Sequence, residues 1–154
     1  MIKILELLEP AATGFQLKAE TSTEVIAYLG KLLVAAGYVR ASFIDAAVSR
    51  EKELPTGLPL NGSINAAIPH TDVEHVIKPG LAMATLAQPV IFQNMAVPDE
   101  SVPVQLVFLL ALDKPKAQIE MLQEIAGLLQ QPDIVAGLTE ANNFEEVKKL
   151  LVAS

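Results

Sequence analysis

The chain has 154 residues, which suits a single domain over residues 1–154, and its lack of cysteine excludes a disulfide framework. Its formal net charge of −7, with Lys and Arg scattered along the chain, argues against a nucleic-acid partner. Charged residues interrupt every apolar run well before the roughly 18 residues that a membrane span needs, and the first residues lack a secretory signal, so we predict a cytoplasmic protein with no insertion into the membrane.

Two helices are predicted in the first third of the chain. Thr21 followed by Glu24 forms a capping box at the start of the first, over residues 21–36, where apolar side chains recur with the helical period. The second covers residues 42–53 and ends before a proline, because the residue ahead of proline avoids the helical conformation. Arg50 therefore lies in the last turns of the second helix.

The middle of the chain is predicted to be a loop followed by buried strands. Residues 55–62 hold two prolines and two glycines, the composition of a loop. Three short apolar or alternating runs then predict strands over residues 64–69, 81–87 and 102–112.

Helical periodicity returns in the last third. It predicts one helix after Pro115, a weaker one over residues 132–138 and an amphipathic one from about Asn143 to Val152. Helices on either side of a group of buried strands predict an α/β domain whose sheet is covered by helices.

His70 is the side chain best suited to covalent chemistry. It ends the apolar run Ile68-Pro69-His70, in a chain with one other histidine and no recognisable metal cluster or nucleotide-binding loop in its sequence. The unperturbed imidazole pKa of about 6.5 leaves a large neutral fraction near neutral pH. A ring nitrogen can therefore act as a nucleophile without an activating base.

Two segments around this histidine carry a family resemblance. The run REKELPTGL at residues 50–58 precedes AAIPH at residues 66–70, which places an arginine 20 residues ahead of the histidine. This combination resembles the type 2 EIIA component of bacterial sugar phosphotransferase systems (PTS), the fructose/mannitol class. It is most similar to the galactitol-type members, and the resemblance covers nearly the whole chain.

The resemblance implies a mixed β-sheet flanked by helices on both faces. It also implies that His70 accepts a phosphoryl group from the phosphohistidine of the carrier protein HPr and passes it to a cysteine of the cognate EIIB. EIIB then phosphorylates the sugar as the EIIC channel imports it. No cofactor and no metal are implied. The sequence leaves open which ring nitrogen reacts, although the broader class suggests Nε2.

The same resemblance assigns candidate phosphoryl-binding groups. Arg50 is expected to hold phosphoryl oxygens with charge-assisted hydrogen bonds, whereas spacing alone also fits an arginine placed against the helix dipole. Thr56 and Gly57 offer a hydroxyl and backbone N–H groups that could bond phosphoryl oxygens. The alternative interpretation is that both residues only form a turn. Thr71 has a similar position beside His70.

Four further side chains bear on the mechanism. His75 is expected to orient the active ring or to help hold the phosphoryl group, or else to be a solvated loop residue. Gln118 stands where other members of the class have a second histidine. Its amide can donate a hydrogen bond but cannot take up or release a proton during transfer. Asp72 and Glu74 would disfavour a phosphorylated ring if they faced it. We therefore predict that the chain turns after His70 and directs these carboxylates away, or that Asp72 bonds the nonreacting ring nitrogen.

Two functions stay open at this stage. The first is the phosphoryl-transfer component of a sugar or polyol uptake system. The alternative is a regulatory EIIA-like module, of the nitrogen phosphotransferase type, that senses phosphorylation state. The sugar itself is not identified, because its recognition resides in EIIC.

Overall fold

A five-stranded sheet with helices on both faces forms the protein, as seen in a computed structural model that describes residues 2–154. The helices are α1 (Ile2–Leu7), α2 (Ser22–Ala35), α3 (Ser42–Glu53), α4 (Pro115–Leu128), α5 (Pro132–Glu140) and α6 (Phe144–Ala153). The strands are β1 (Leu8–Leu17), β2 (Gly57–Leu58), β3 (Ala66–Ala67), β4 (Gly80–Gln93) and β5 (Ser101–Ala111). One turn of 3-10 helix covers Val73–His75.

The sheet is mixed, with the strand order β1-β4-β5-β3-β2. β1 pairs with β4, and β3 with β5, in parallel, whereas β4 with β5 and β2 with β3 are antiparallel. This architecture confirms the α/β fold and the mixed sheet that the resemblance implied.

Two apolar layers enclose the sheet, because successive side chains of a strand point to opposite faces. On one face, Leu109 of β5 joins Leu29 of α2 and Phe43 of α3. On the other, Phe108 of β5 packs with Met121 of α4, in a cluster that α1, α5 and α6 complete. β5 is thus buried on both faces and gives the residues that follow β3 a rigid neighbour.

The predicted helix starts and ends are largely confirmed. The Thr21 hydroxyl accepts a hydrogen bond from the Glu24 N–H at 3.2 Å and caps α2. Gly37 follows α2 with φ of +85°, in the left-handed region that glycine adopts easily. The predicted bounds of α3 match the observed ones.

The strand predictions needed correction. β3 is limited to two residues instead of residues 64–69, and the loop predicted over residues 55–62 contains β2. β4 runs to Gln93 instead of ending at Ala87, and its register shift between Thr85 and Val90 accommodates a proline.

The N-terminal elements α1 and β1 were not predicted from the sequence. β1 is an edge strand with two register shifts that contains Pro10 and Gly14, features that an edge position tolerates but that weaken a strand pattern. Among residues 2–154, no helix has the length and apolar character needed to cross a bilayer.

Candidate active site

The His70 ring is held by the backbone of its own segment. Its Nδ1 lies 2.9 Å from the carbonyl oxygen of Ile68. Because a carbonyl only accepts hydrogen bonds, Nδ1 carries the proton and Nε2 keeps a free lone pair. The adjacent Pro69 carbonyl accepts a hydrogen bond from the N–H of Leu110 at 3.0 Å. The buried strand β5 therefore fixes the peptide that presents the ring.

The surroundings keep His70 neutral. Burial lowers the pKa of the His70 ring most strongly, and the positive charge of Arg50 lowers it further. The hydrogen bond to Ile68 and the negative charge of Asp72 act in the opposite direction without cancelling that effect. At neutral pH the ring is therefore in the neutral form, with Nε2 unprotonated, that a nucleophile requires.

Arg50 and Asp72 form an ion pair beside this ring. The guanidinium Nη1 of Arg50, in the last turn of α3, lies 3.3 Å from Oδ1 of Asp72. The chain turns directly after Asp72 into the 3-10 helix. The Nδ1 partner of His70 is Ile68, so the alternative in which Asp72 bonds that nitrogen is wrong. The predicted turn after His70 is present, but it does not remove the Asp72 carboxylate from the ring, because its negative charge raises the pKa of His70.

The structure places His75 at the other end of α3. Its Nδ1 lies 2.9 Å from Oγ of Ser42, the first residue of α3, and its Nε2 lies 3.8 Å from Oε1 of Glu74. Ser42 and Arg50 are separated by about 12 Å along the helix axis, given a rise of about 1.5 Å per residue. The structure thus brings Arg50 and Asp72 to His70, while His75 contacts the start of α3. Its predicted role at the His70 ring stays a prediction.

Thr56 is buried and directed towards a carboxylate. Its hydroxyl donates a hydrogen bond to Oε1 of Glu51 at 2.7 Å, and its N–H donates one to Oε2 at 2.8 Å. Both donors that were considered for a phosphoryl group at Thr56 are thus occupied by a neighbour within the protein.

Glu51 was missed as a functional candidate. A signal was present, because Glu51 stands one helical turn after Ala47 on the face of α3 that also buries Phe43. An acid in an apolar stripe indicates a buried carboxylate with partners. Burial raises the pKa of Glu51 to about 7, against the opposing effect of the two Thr56 hydrogen bonds.

Gly57 belongs to the sheet edge next to this segment. It pairs with Ala67 across β2 and β3, and its carbonyl accepts the N–H of Met95 at 2.9 Å. A Cβ at this position would lie 2.5 Å from the carbonyl oxygen of Gln93, so only glycine fits.

Thr71 and Gln118 have polar groups without internal partners. Thr71 is buried directly after His70, and its hydroxyl has no hydrogen-bond partner among residues 2–154. Gln118 lies near the start of α4, on the same face as the buried Met121 and Ile125. Its Oε1 is buried without a partner in the described part of the chain. The Thr71 hydroxyl is therefore able to donate to an incoming group, whereas the Gln118 oxygen is an acceptor.

The arrangement suits transfer of an anionic group onto nitrogen. It combines a neutral imidazole with a free Nε2, a guanidinium whose charge acts on that ring, and an unpartnered hydroxyl on the following residue. Such transfer depends mainly on positioning and on donors for the oxygens of the moving group.

Comparison with known proteins gives consistent matches. Residues 6–154 match the family model of the phosphoenolpyruvate-dependent sugar phosphotransferase system, EIIA 2. The chain is similar to the PTS system galactitol-specific EIIA component of Escherichia coli strain K12, with 35% identity over 116 residues that cover 75% of this chain and 76% of that protein. It is also similar to the transcriptional regulator ManR of Bacillus subtilis strain 168, with 30% identity over 143 residues that cover 92% of this chain but 20% of ManR.

A solved structure shows the same fold. The chain superposes with a TM-score of 0.76 and 26% identity on a chain from the complex of enzyme IIAMTL and phosphorylated enzyme IIBMTL from Escherichia coli. The match covers 96% of this chain and 98% of that one.

Proposed function

The chain belongs to the EIIA 2 family of the phosphoenolpyruvate-dependent sugar phosphotransferase system, and on that premise we propose that His70 is its phosphoryl acceptor. In the proposed step, Nε2 of His70 attacks the phosphorus of the phosphohistidine of HPr. A phosphorus–Nε2 bond forms as the phosphorus–nitrogen bond of the donor breaks. In a second transfer, a cysteine thiolate of EIIB attacks the same phosphorus, and a phosphorus–sulfur bond forms as the phosphorus–Nε2 bond breaks and its electron pair returns to Nε2.

The observation that carries this proposal is the hydrogen bond between Nδ1 of His70 and the Ile68 carbonyl. It directs the lone pair to Nε2 before a donor arrives. Burial and the nearby Arg50 charge also favour the neutral ring. The acceptor is thus preorganised, which removes orientational entropy from the barrier.

Arg50 supplies positive charge for the transferring group. Its single contact to Asp72, at 3.3 Å, leaves other guanidinium N–H groups able to donate to phosphoryl oxygens. The Thr71 hydroxyl is a further candidate donor, since it lacks an internal partner, and the Nε2 amide group of Gln118 is proposed as another. We propose that Asp72 holds the Arg50 guanidinium in place until the phosphoryl group arrives. The guanidinium then donates hydrogen bonds to the phosphoryl oxygens.

The proposed role requires two protein partners, HPr as the donor and EIIB as the acceptor. The chain would meet both in the cytoplasm and would be connected to the EIIC channel through EIIB. Exposed apolar side chains lie around the segment that follows Arg50: Leu54 directly after α3, and Met95 and Val97 near Gly57. Apolar side chains close to a reactive group are typical of the centre of a protein interface. The relative in the solved complex has EIIB as its partner, in agreement with this role.

The alternative is a regulatory module that senses phosphorylation state, and the similarity to ManR favours it. That match covers a fifth of ManR, whereas the galactitol-specific EIIA is matched over most of its length. We therefore propose the transport role first. A phosphorylated chain that transfers its group to a galactitol-type EIIB supports transport, and retention of the group supports regulation.

The direct test is incubation with enzyme I, HPr and phosphoenolpyruvate, followed by intact mass spectrometry. We expect the parent and a His75→Ala control to gain one phosphoryl group, and a His70→Ala variant to gain none. The proposal fails if the parent stays unmodified while a known EIIA is labelled in parallel, or if His70→Ala is labelled as fully as the parent.

A further inference from the structure

Glu51 is a buried carboxylate that the proposed transfer step does not itself use. It lies on the inner face of α3, 8% exposed, and it accepts hydrogen bonds from both the N–H and the hydroxyl of Thr56. These bonds tie the last turn of α3 to the segment on the far side of Pro55. Arg50 is the residue immediately before it on the same turn.

Thr56 is connected in turn to the reacting ring. Its carbonyl oxygen accepts the N–H of Ile68 at 3.3 Å. The carbonyl of Ile68 then accepts Nδ1–H of His70 at 2.9 Å. A continuous series of hydrogen bonds therefore runs from the Glu51 carboxylate through Thr56 and Ile68 to His70.

Glu51 borders a pocket, and hydrogen bonds fix the direction of its carboxylate. A cavity of about 240 Å³ lies next to it, lined by Ser22, Thr23, Lys52 and Gln93 among others. Both oxygens of the carboxylate are bound to Thr56, and these two hydrogen bonds set its direction. On the other side of Thr56, the close contact of Gly57 with Gln93 leaves the segment little freedom. A displacement at Thr56 would therefore be passed on to its neighbours in the sheet.

We propose that Glu51 is a positioning residue for phosphoryl transfer, which fixes Thr56 and thereby the Ile68 carbonyl that holds His70 with its proton on Nδ1. The same bonds keep the last turn of α3, which carries Arg50, in a fixed position relative to the His70 ring. The inference rests on the proposed function of His70. The expected loss of transfer rate without Glu51 follows from geometry, because a displacement of about 1 Å at a reacting group lowers the rate by up to about 100-fold.

The test compares Glu51→Ala with Glu51→Gln. The glutamine keeps an acceptor for the Thr56 N–H and offers a donor to its hydroxyl. We expect Glu51→Ala to lower the maximal rate of transfer from phospho-HPr by roughly 10-fold or more, with little change in the half-saturating HPr concentration. Glu51→Gln should restore most of that rate. Glu53→Gln, an exposed acid at the end of the same helix, is the matched control and should behave as the parent.

A second readout is independent of phosphoryl transfer. Nitrogen-15 NMR of the unphosphorylated protein reports the tautomer of His70, and Glu51→Ala should decrease the Nδ1–H fraction, whereas Glu51→Gln and Glu53→Gln should keep it. A parent that is not phosphorylated at His70 contradicts the proposed function, while the tautomer still tests Glu51. If Glu51→Ala does not fold, Thr56→Val is measured with the same readouts. A folded variant of either kind with the parental rate and tautomer overturns the inference.

Discussion

Replacing Glu51 with glutamine should change how the stability of the fold depends on pH. Burial raises the pKa of Glu51 from its ordinary value of 4.5 to about 7. Between these two values the folded protein binds more protons at this site than the unfolded chain does. The stabilising contribution is therefore fully present below pH 4.5, and it is lost as the pH rises through about 7.

The interval between the two pKa values sets the size of the effect. Each pKa unit corresponds to about 1.4 kcal/mol, so ionisation of buried Glu51 lowers the free energy of unfolding by about 3 kcal/mol. A glutamine at this position does not ionise. The parent should therefore lose about 3 kcal/mol relative to Glu51→Gln between pH of about 4.5 and 8.

Urea denaturation followed by circular dichroism measures this difference at several pH values. Other carboxylates also titrate over the range, but they affect parent and variant alike, so the difference between the two curves isolates Glu51. Glu53→Gln is exposed and supplies the control curve, which should run parallel to that of the parent. Parallel curves for the parent and Glu51→Gln would refute the reasoning.

Three further predictions concern the transfer step. Arg50→Lys keeps the charge but loses the planar fork, so the maximal transfer rate from phospho-HPr should fall roughly 10-fold or more; a parental rate in stopped-assay kinetics would argue against a phosphoryl contact. His75→Gln should lower the same rate by less than about threefold, since its ring contacts Ser42 at the start of α3; a loss as large as that of Arg50→Lys would place His75 in the site. Because burial lowers the pKa of the His70 ring below its ordinary value of 6.5, the fall in the rate with preformed phospho-HPr at decreasing pH should be centred below pH 6.5; a fall centred above pH 6.5 would contradict the neutral-ring assignment.

Elements with strong local signals were predictable from the sequence. The capping box at Thr21 and the proline after α3 identified α2 and α3, whose ends depend on neighbouring residues alone. Strand lengths were less predictable, because they depend on the partner strand. β3 ends after Ala67, and the proline and glycine of β1 weaken the strand pattern that a sequence would otherwise show there.

In the candidate site, too, features with a local sequence signal were predictable, whereas features that depend on packing were not. Arg50 and His70 were paired by a recognised motif, and the positive charge of Arg50 lowers the pKa of the His70 ring, while its contact with a phosphoryl group stays a prediction. The contacts of Glu51 with Thr56 depend on how α3 packs on the sheet, which no local pattern specifies. Likewise, the Ile68 carbonyl as partner of Nδ1 required the backbone conformation around Pro69.

The central claim is that the backbone of Ile68 directs the reaction to Nε2 of His70. Nitrogen-15 and phosphorus-31 NMR of the phosphorylated protein, labelled at histidine nitrogen, identifies the modified atom directly. We expect phosphorus coupled to Nε2 of His70, with Nδ1 still protonated. Phosphorus on Nδ1, or on the ring of His75, would contradict the account.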